Sequence, residues 1–549
     1  MTSQSAETYY AATAIPNAPR PRLTQDIDTG VCIVGGGFAG LWTARALARR
    51  GYDVVVIEGR TIAGEASGRS GGLVSAGYAE RLLRIVERVG LQRAKALYAL
   101  SRQGIDIVSA ALADGIPGVE PTAGRLNVLR YDDEEGLRRE ADFLGEHFGH
   151  EMVVWPTERV REMLKTTRYF QALHDADAFS IHPLNLALAL AAEIEKLGGR
   201  IFEQTVATGA DLEGVWKWIS TTHGRVRAHA TVFCGSAFIG DGFPMLARAI
   251  LPVASYSCVT GPVAERLQEA IRYPGAITDT RRAGDYYRVI GDRLMWGGRI
   301  STATDTPRRL ERRLARDMAL VYPSLKGVEI EYAWSGIMGY AIHRMPQIGM
   351  LRPGAWVASA FGGHGLNTTA MAGDLVATGI ADNDERWRQF IPFGLVWAGG
   401  AWGRRTTQLV YWGMQIRDKL EEANARRKER AAGRAKAAVA AKKRAAKKAA
   451  EEAAREAARV AKEVAAAKRK RESEELARLL ALEEEDEKRR KAEAAGGAMS
   501  GAEVVPLSVP AKAAAESESA LAPPDQEQLS ADKSAKRSGK KSRKKVEGE

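Results

Sequence analysis

Three glycines and one carboxylate carry the first chemical signal in this sequence. Gly35, Gly37 and Gly40 stand in the spacing GxGxxG, and Glu58 follows 18 residues after the last of them. In such a motif the first glycine permits a tight turn, the second lets backbone approach a pyrophosphate, and the third lets a helix lie close to a strand. The motif needs a strand before it and a helix behind it. Val31 to Val34 supplies a short apolar strand, Leu41 to Arg50 an amphipathic helix, and Tyr52 to Ile57 a second strand ending at Glu58. The helix N-terminus offers N–H groups and a partial positive charge to phosphates, while Glu58 accepts hydrogen bonds from ribose hydroxyls. A dinucleotide-binding βαβ unit is therefore expected; a glycine turn made only for close packing leaves Glu58 unexplained.

The stretch that follows, AGEASGRSGG from Ala63 to Gly72, narrows the cofactor to FAD. A second loop of small residues directly after the ribose-binding strand suits a flavin that must slip between backbone segments. Ser67, Arg69, Ser70 and Gly71 are the expected contacts. Late in the chain, AFGGHGLNTTAMAGDLVATGI supplies another glycine turn leading into a helix, with Gly363, Gly365 and Leu366 expected beside the cofactor and Asn367, Thr368 or Thr369 as caps. His364 is a candidate for a hydrogen bond or a positive charge there, against the plainer reading of a turn histidine. Between Tyr286 and Arg299, and again between Glu329 and Trp334, aromatic and β-branched alternation predicts an antiparallel sheet separate from the nucleotide-binding one. Tyr286, Tyr287, Arg288 and Trp296 lie on strands expected to face the flavin, where aromatic walls offer packing and cation–π contact to a bound molecule; a plain sheet core is the alternative for each. Neither a Ser-His-Asp spacing nor paired carboxylates demand another mechanism.

These segments together resemble the FAD-dependent oxidases of the D-amino-acid oxidase and glycine oxidase superfamily, most closely its gamma-glutamylputrescine oxidase branch. The resemblance covers roughly residues 22–420. It rests on GEASGRSGG, with Ser70 where the branch has Asn, on IHPLNLAL at Ile181–Leu188, and on DYYR at Asp285–Arg288 with Trp296-Gly297-Gly298. Tyr332–Gly336 and Gly362–Gly365 complete it. It implies an α/β fold, a Rossmann-like FAD-binding domain interleaved with an antiparallel-sheet substrate domain. It also implies oxidation of an amine by hydride transfer to flavin, with molecular oxygen as acceptor and imine or aldehyde and hydrogen peroxide as products. The resemblance further implies a helix N-terminus aimed at the flavin pyrimidine edge. Amino-acid oxidases of this kind are expected to place a carboxylate-gripping arginine after the tryptophan-containing strand. Met338 stands there instead, which favours a primary or secondary alkylamine, polyamine-derived or gamma-glutamylputrescine-like; Arg344 is the nearby residue able to compensate.

Charge and composition set the remaining bounds. Of the net +12, residues 421–549 carry +8, so the high isoelectric point describes an appendage more than the body. Residues 1–27 read as a polar leader without a core of its own, and 28–420 as the catalytic body. Residues 421–495 form an Ala/Lys/Arg/Glu-rich helical segment whose first coiled-coil-like apolar run is Leu476–Leu482, and 496–549 a disordered tail. The tail offers weak, nonspecific polyanion contact and is expected to be dispensable. Cys32, Cys234 and Cys258 have neither CxxC nor metal-site spacing, which excludes a disulfide scaffold and a structural zinc site. With no secretory signal and no apolar run long enough for a bilayer, a cytoplasmic location is expected. Two other readings are a flavoprotein acting on modified RNA bases and a polyanion-binding scaffold with a secondary flavin body.

Overall fold

The computed structural model describes residues 8–281, 284–304 and 309–494. Its first sheet is built outward from the strand Ile27–Val34, which pairs in parallel with Val54–Ile57 on one side and Arg225–Phe233 on the other. Arg200–Phe202 and Ala355–Ser359 extend the parallel set, Gln347–Arg352 adds an antiparallel edge, and the hairpin Ala207–Asp211 and Lys217–Thr221 hangs off Arg225–Phe233. Both faces of this sheet are covered, which is why its central strands are apolar without alternation. Val31 and Ile33 face a cluster formed with the helices Phe38–Ala48, Leu82–Leu112, Pro183–Lys196 and Gly365–Ala381. Cys32 and Val34 face the opposite cluster with Ile219, Ile239 and Phe243. The start signal HPLN works as its chemistry requires: Pro183 sits in the first turn and His182 Nδ1 accepts from Asn185 N at 3.1 Å.

The second sheet has nine strands and runs from Ile330–Tyr340 through Leu251–Thr260, Arg293–Ser301 and Tyr286–Ile290 to the strands of the middle of the chain. Its pairs are antiparallel except that Ala276–Asp279 lies parallel to Thr122–Val128. The sheet expected from the alternation of residues 286–299 and 329–334 is thus present, and larger than the sequence pattern showed.

Two boundaries differ from expectation. From residue 8 the leader is part of the core: Tyr10 is fully buried between Trp334 and His182, its hydroxyl donates to Met295 Sδ at 3.2 Å, and Leu23 is buried under the first sheet. Arg20 holds it down with two bonds to Glu195, at 2.8 and 3.0 Å. At the other end the final helix, Gly400–Ala494, passes residue 420 without a break, and the first compact unit closes only at Ala441. Gln408 accepts from Thr302 N at 2.9 Å, Glu422 from Arg168 at 2.6 Å, and Glu429 from Arg161 at 2.5 Å. Glu422 is scarcely exposed and also faces the buried Arg130 at 3.7 Å. The described part of the second unit, residues 442–494, is helical and exposed, supported by alanine propensity and i,i+4 pairs such as Lys468–Glu472. Residues 496–549, expected to be disordered, lie outside the described residues.

Truncation separates these boundaries. Ending the chain at Glu421 removes Glu422 and Glu429, and loss of a carboxylate from a mostly buried arginine cluster costs about 1–3 kcal/mol, since Arg130 keeps other partners. Thermal denaturation is expected to show a clear drop in Tm for the chain ending at Glu421 and no change for the chain ending at Ala441; equal Tm values for both would place the boundary back at 420.

Candidate cofactor and substrate site

A cavity of about 690 Å³ runs from the glycine turn to the second sheet. At one end the glycines meet their steric demands. A Cβ on Gly40 would lie 1.9 Å from the Gly35 carbonyl oxygen, and Gly35, at φ +115°, has the Cys234 backbone where its Cβ would be, at 2.8 Å. Gly37 caps the helix Phe38–Ala48, whose first N–H is met by Ser67: Phe38 N donates to Ser67 Oγ at 3.0 Å. Glu58 stands at the tip of Val54–Ile57, its carboxylate accepting from Gly36 N at 2.7 Å and Arg60 N at 2.8 Å. Burial pushes its pKa up, and these two N–H groups oppose that. All four predicted residues line the same cavity end or form its turn.

The loop Ala63–Gly72 forms the wall between the sheets. Arg69 donates through Nε to Gly64 O at 2.9 Å and through Nη1 to Ser335 O at 3.0 Å, while Trp334 Nε1 donates to Arg69 O at 3.0 Å. Arg69 therefore clamps the loop to the second sheet, a role the spacing did not reveal. Ser70 and Gly71 face the cavity; a Cβ on Gly71 would press the Tyr286 ring at 2.9 Å. These backbone-lined walls, the carboxylate at one end and the helix N-terminus behind the glycine turn fit FAD.

The opposite wall is the second sheet. Tyr286, Ser255, Ser257, Gly336, Met338 and Tyr340 line it, and the Tyr286 hydroxyl is held by Ser257 Oγ at 2.9 Å and Ser255 Oγ at 3.2 Å. Gly297 is required beneath that ring, since a Cβ there would lie 2.1 Å from it. Strand alternation turns the rings of two expected site residues away from that wall. The ring of Tyr287 stacks on Trp296 at 4.4 Å on the far face, and its hydroxyl bonds Tyr322 at 2.9 Å and Tyr169 at 3.2 Å. Both rings belong to the core; Trp296 does not line the cavity, while Tyr287 still borders it. The period-2 pattern, with Tyr286 paired to Gly297, was the signal that separates Tyr286 from Tyr287. Arg288 does line the cavity, buried and with no carboxylate partner among the described residues. It donates to Ile181 O at 2.7 Å and reaches Ser180 Oγ and Tyr10 OH, each at 3.3 Å, which fixes it behind the Gly71-Gly72 loop.

His364 precedes the helix Gly365–Ala381, and Gly363, Gly365 and Leu366 line the cavity around its first turn. Its Nε2 donates to Ser75 O at 2.9 Å, and burial pulls its pKa down to about 4, so the ring is neutral at pH 7 and adds no positive charge. The expected caps do not cap. Thr368 and Thr369 hydroxyls bond back to the His364 and Gly365 carbonyls, and Asn367 Nδ2 donates to Ser101 O at 3.0 Å. No side chain caps this helix end, which leaves its first-turn N–H groups and positive dipole end toward the cavity. Arg344 is not among the cavity residues. Among the described residues no group of three His, Cys, Asp or Glu side chains is placed to hold a metal, all three cysteines are free and buried, and no helix is long and apolar enough to cross a membrane.

A mostly parallel sheet with a glycine turn and a carboxylate at the tip of its second strand, facing a second sheet across a backbone-lined cavity, is the arrangement of a dinucleotide-binding protein. Comparison with known proteins gives the family: the chain belongs to the FAD dependent oxidoreductase family DAO, which it matches over residues 30–378. It is 31% identical over 392 residues to the gamma-glutamylputrescine oxidoreductase of Escherichia coli K12, covering 71% of this chain and 92% of that protein. It is 30% identical over 397 residues to a probable oxidoreductase of Haemophilus influenzae, covering 70% and 90%. Among solved structures, glycine oxidase from Geobacillus kaustophilus superposes with a TM-score of 0.58 at 21% identity, covering 67% of this chain and 98% of that one. The protein is an FAD-dependent oxidoreductase.

Two outcomes follow from this geometry. Gly37→Val fills the approach to the pyrophosphate and Glu58→Ala removes the ribose acceptor; the first is expected to purify colourless and the second with FAD bound about tenfold more weakly, by absorbance and equilibrium dialysis. Full FAD content in Gly37→Val would contradict the placement. His364 protonates near 6.5 when unfolded and only near 4 in the fold. The unfolded state therefore binds the extra proton between those values, and stability, full above pH 6.5, falls as pH drops toward 4. His364→Asn is expected to flatten that slope in denaturant titrations; His182, also held near 4, keeps part of it.

Proposed function

We propose that this chain oxidises a primary or secondary alkylamine that lacks a carboxylate on the reacting carbon, releasing an aldehyde, ammonia or an amine, and hydrogen peroxide. The observation that carries this reading is the makeup of the substrate wall. The strand Ile330–Tyr340 presents Gly336, Met338 and Tyr340, with no cation on it. The arginines elsewhere in the cavity have their forks engaged: Arg60 pairs with Glu65, Arg69 bonds Gly64 O and Ser335 O, Arg288 uses both Nη groups on Ser180, Tyr10 and Ile181, and Arg125 uses both on Ser75 Oγ at 3.2 Å and toward Asp175 at 3.4 Å. Of their buried nitrogens, only the Nε of Arg288 and of Arg125 has no hydrogen-bond partner among the described residues. None offers a free fork to an α-carboxylate. The name of the Escherichia coli relative, a gamma-glutamylputrescine oxidoreductase, points to the same substrate class.

FAD, when bound, supplies the two-electron acceptor that passes electrons on to oxygen. Gly35, Gly37, Glu58 and the helix end behind them would hold its pyrophosphate and ribose, and the loop around Gly71 would wall its ring. The uncapped start of Gly365–Ala381 contributes a positive potential, and His364 stays neutral and orients the turn through Ser75. Tyr286, fixed through two serines, and Tyr340 and Phe361 wall the amine in and keep water from its α-carbon. Carboxylates in the cavity lining, Glu58 and Glu65, stand at the dinucleotide end, so no carboxylate at the substrate wall pairs with an ammonium. The amine is therefore taken as the free base.

Oxygen consumption by the purified yellow protein tests this. Alkylamines, including N-acylated diamines, are expected to turn over in preference to glycine and D-alanine. Below the amine's pKa of roughly 10, kcat/KM is expected to rise about tenfold per pH unit. Glycine or D-alanine as the best substrate, or a flat profile from pH 6 to 9, would sink the proposal.

A further inference from the structure

A second cavity, of about 730 Å³, lies within the first compact unit between the far face of the second sheet and residues 415–434 of the final helix. Among the described residues nine cationic side chains line it against four carboxylates. The inner cations are matched: Arg130 and Arg281 share Asp285 at 2.7 and 2.6 Å, and Arg299 holds Asp317 at 2.5 Å. Toward the helix the balance fails. Glu422 is one carboxylate facing three guanidiniums, those of Arg168 at 2.6 Å, Arg426 at 2.5 Å and Arg130 at 3.7 Å. Arg427, Arg430 and Arg434 follow at helical spacing on one face, and among the described residues none of the three has a carboxylate within ion-pair distance.

We propose that this cavity is a binding site for a compact multivalent phosphate anion. Guanidinium groups present planar forks that match phosphate oxygens, and several converging on one concave space favour a ligand carrying more than one negative group. The described lining has no aromatic side chain; its uncharged members are Leu320, Gln415, Ala423 and Ala431. Nothing there stacks on a base, so the ligand is recognised by its phosphates and not as a nucleic acid. Like charges at this density also repel one another, so an anion relieves a cost the protein otherwise carries. The site is separate from the flavin cavity, and it uses the stretch of helix that joins the body beyond residue 420.

The test is calorimetric titration of inorganic triphosphate into the full-length, FAD-loaded protein at low salt and at about 0.15 M. Saturable binding of one triphosphate per chain is expected, weakened by salt but still measurable. Arg427→Ala/Arg430→Ala changes two exposed side chains and is expected to weaken binding at least tenfold with Tm unchanged. Lys468→Ala/Lys470→Ala, in the second unit, is expected to bind like wild type. Non-saturable binding, or equal loss in both double variants, would overturn the proposal in favour of diffuse attraction to basic helix. So would a single-stranded RNA oligonucleotide that binds more tightly than triphosphate and loses that affinity in Arg427→Ala/Arg430→Ala, which would make the surface a nucleic-acid one.

Discussion

The reciprocal clamp between Arg69, the Trp334 indole and the Ser335 carbonyl is the interaction on which the rest of this site depends. Trp334 Nε1 reaches the Arg69 carbonyl, and the Arg69 guanidinium reaches back to the Ser335 carbonyl. One residue thereby ties the loop that follows the ribose-binding strand to the strand that faces the substrate. Apolar packing also joins the two sheets, since Val74 and Phe179 of the second belong to the same cluster as Val31 and Ile33 of the first. The clamp adds directed hydrogen bonds at the cavity wall, and it does so from buried ground: Trp334 packs against Tyr10 from the N-terminal segment, whose hydroxyl also meets Met295 and Arg288. A polar leader thus contributes to the rigidity of a cavity wall some 60 residues further along the chain.

Much of the nucleotide end was legible in the sequence because its constraints are local. A βαβ unit of about thirty residues contains its own strand, turn, helix and acceptor, and close backbone approach leaves no residue but glycine at Gly40. The substrate wall was less legible because its key fact is a parity. Tyr286 and Tyr287 are equivalent by composition, and only the pairing of Tyr286 with Gly297 decides which ring faces the cavity and which joins Trp296 in the core. His364 was found by its place in a glycine turn, but its charge state depends on burial and on Ser75, 289 residues away. The caps expected of Thr368 and Thr369 failed for the reason hydroxyls in helices often do: they bond the preceding turn's carbonyls instead.

The ends of the body were misjudged for a shared physical cause. Composition shows whether a segment can build a core, not whether it can complete one. Tyr10 and Leu23 are two large side chains in a polar stretch, enough to fill gaps left by Trp334 and the first sheet. Residues 421–441 have almost no apolar face, yet Glu422 and Glu429 answer arginines that the body presents. Charge complementarity at specific positions extended the unit where hydrophobic patterning predicted its end, and the surplus of arginine in the same stretch shapes the second cavity.

The most direct measurement of this account is the FAD affinity of Trp334→Phe. Trp334 does not line the cavity, so its indole can influence the cofactor only through the clamp and the wall it sets. Loss of one hydrogen bond of about 1 kcal/mol predicts FAD bound roughly fivefold more weakly, with a matching fall in turnover. Wild-type FAD affinity and turnover in Trp334→Phe would contradict the claim that this contact holds the cavity wall in place.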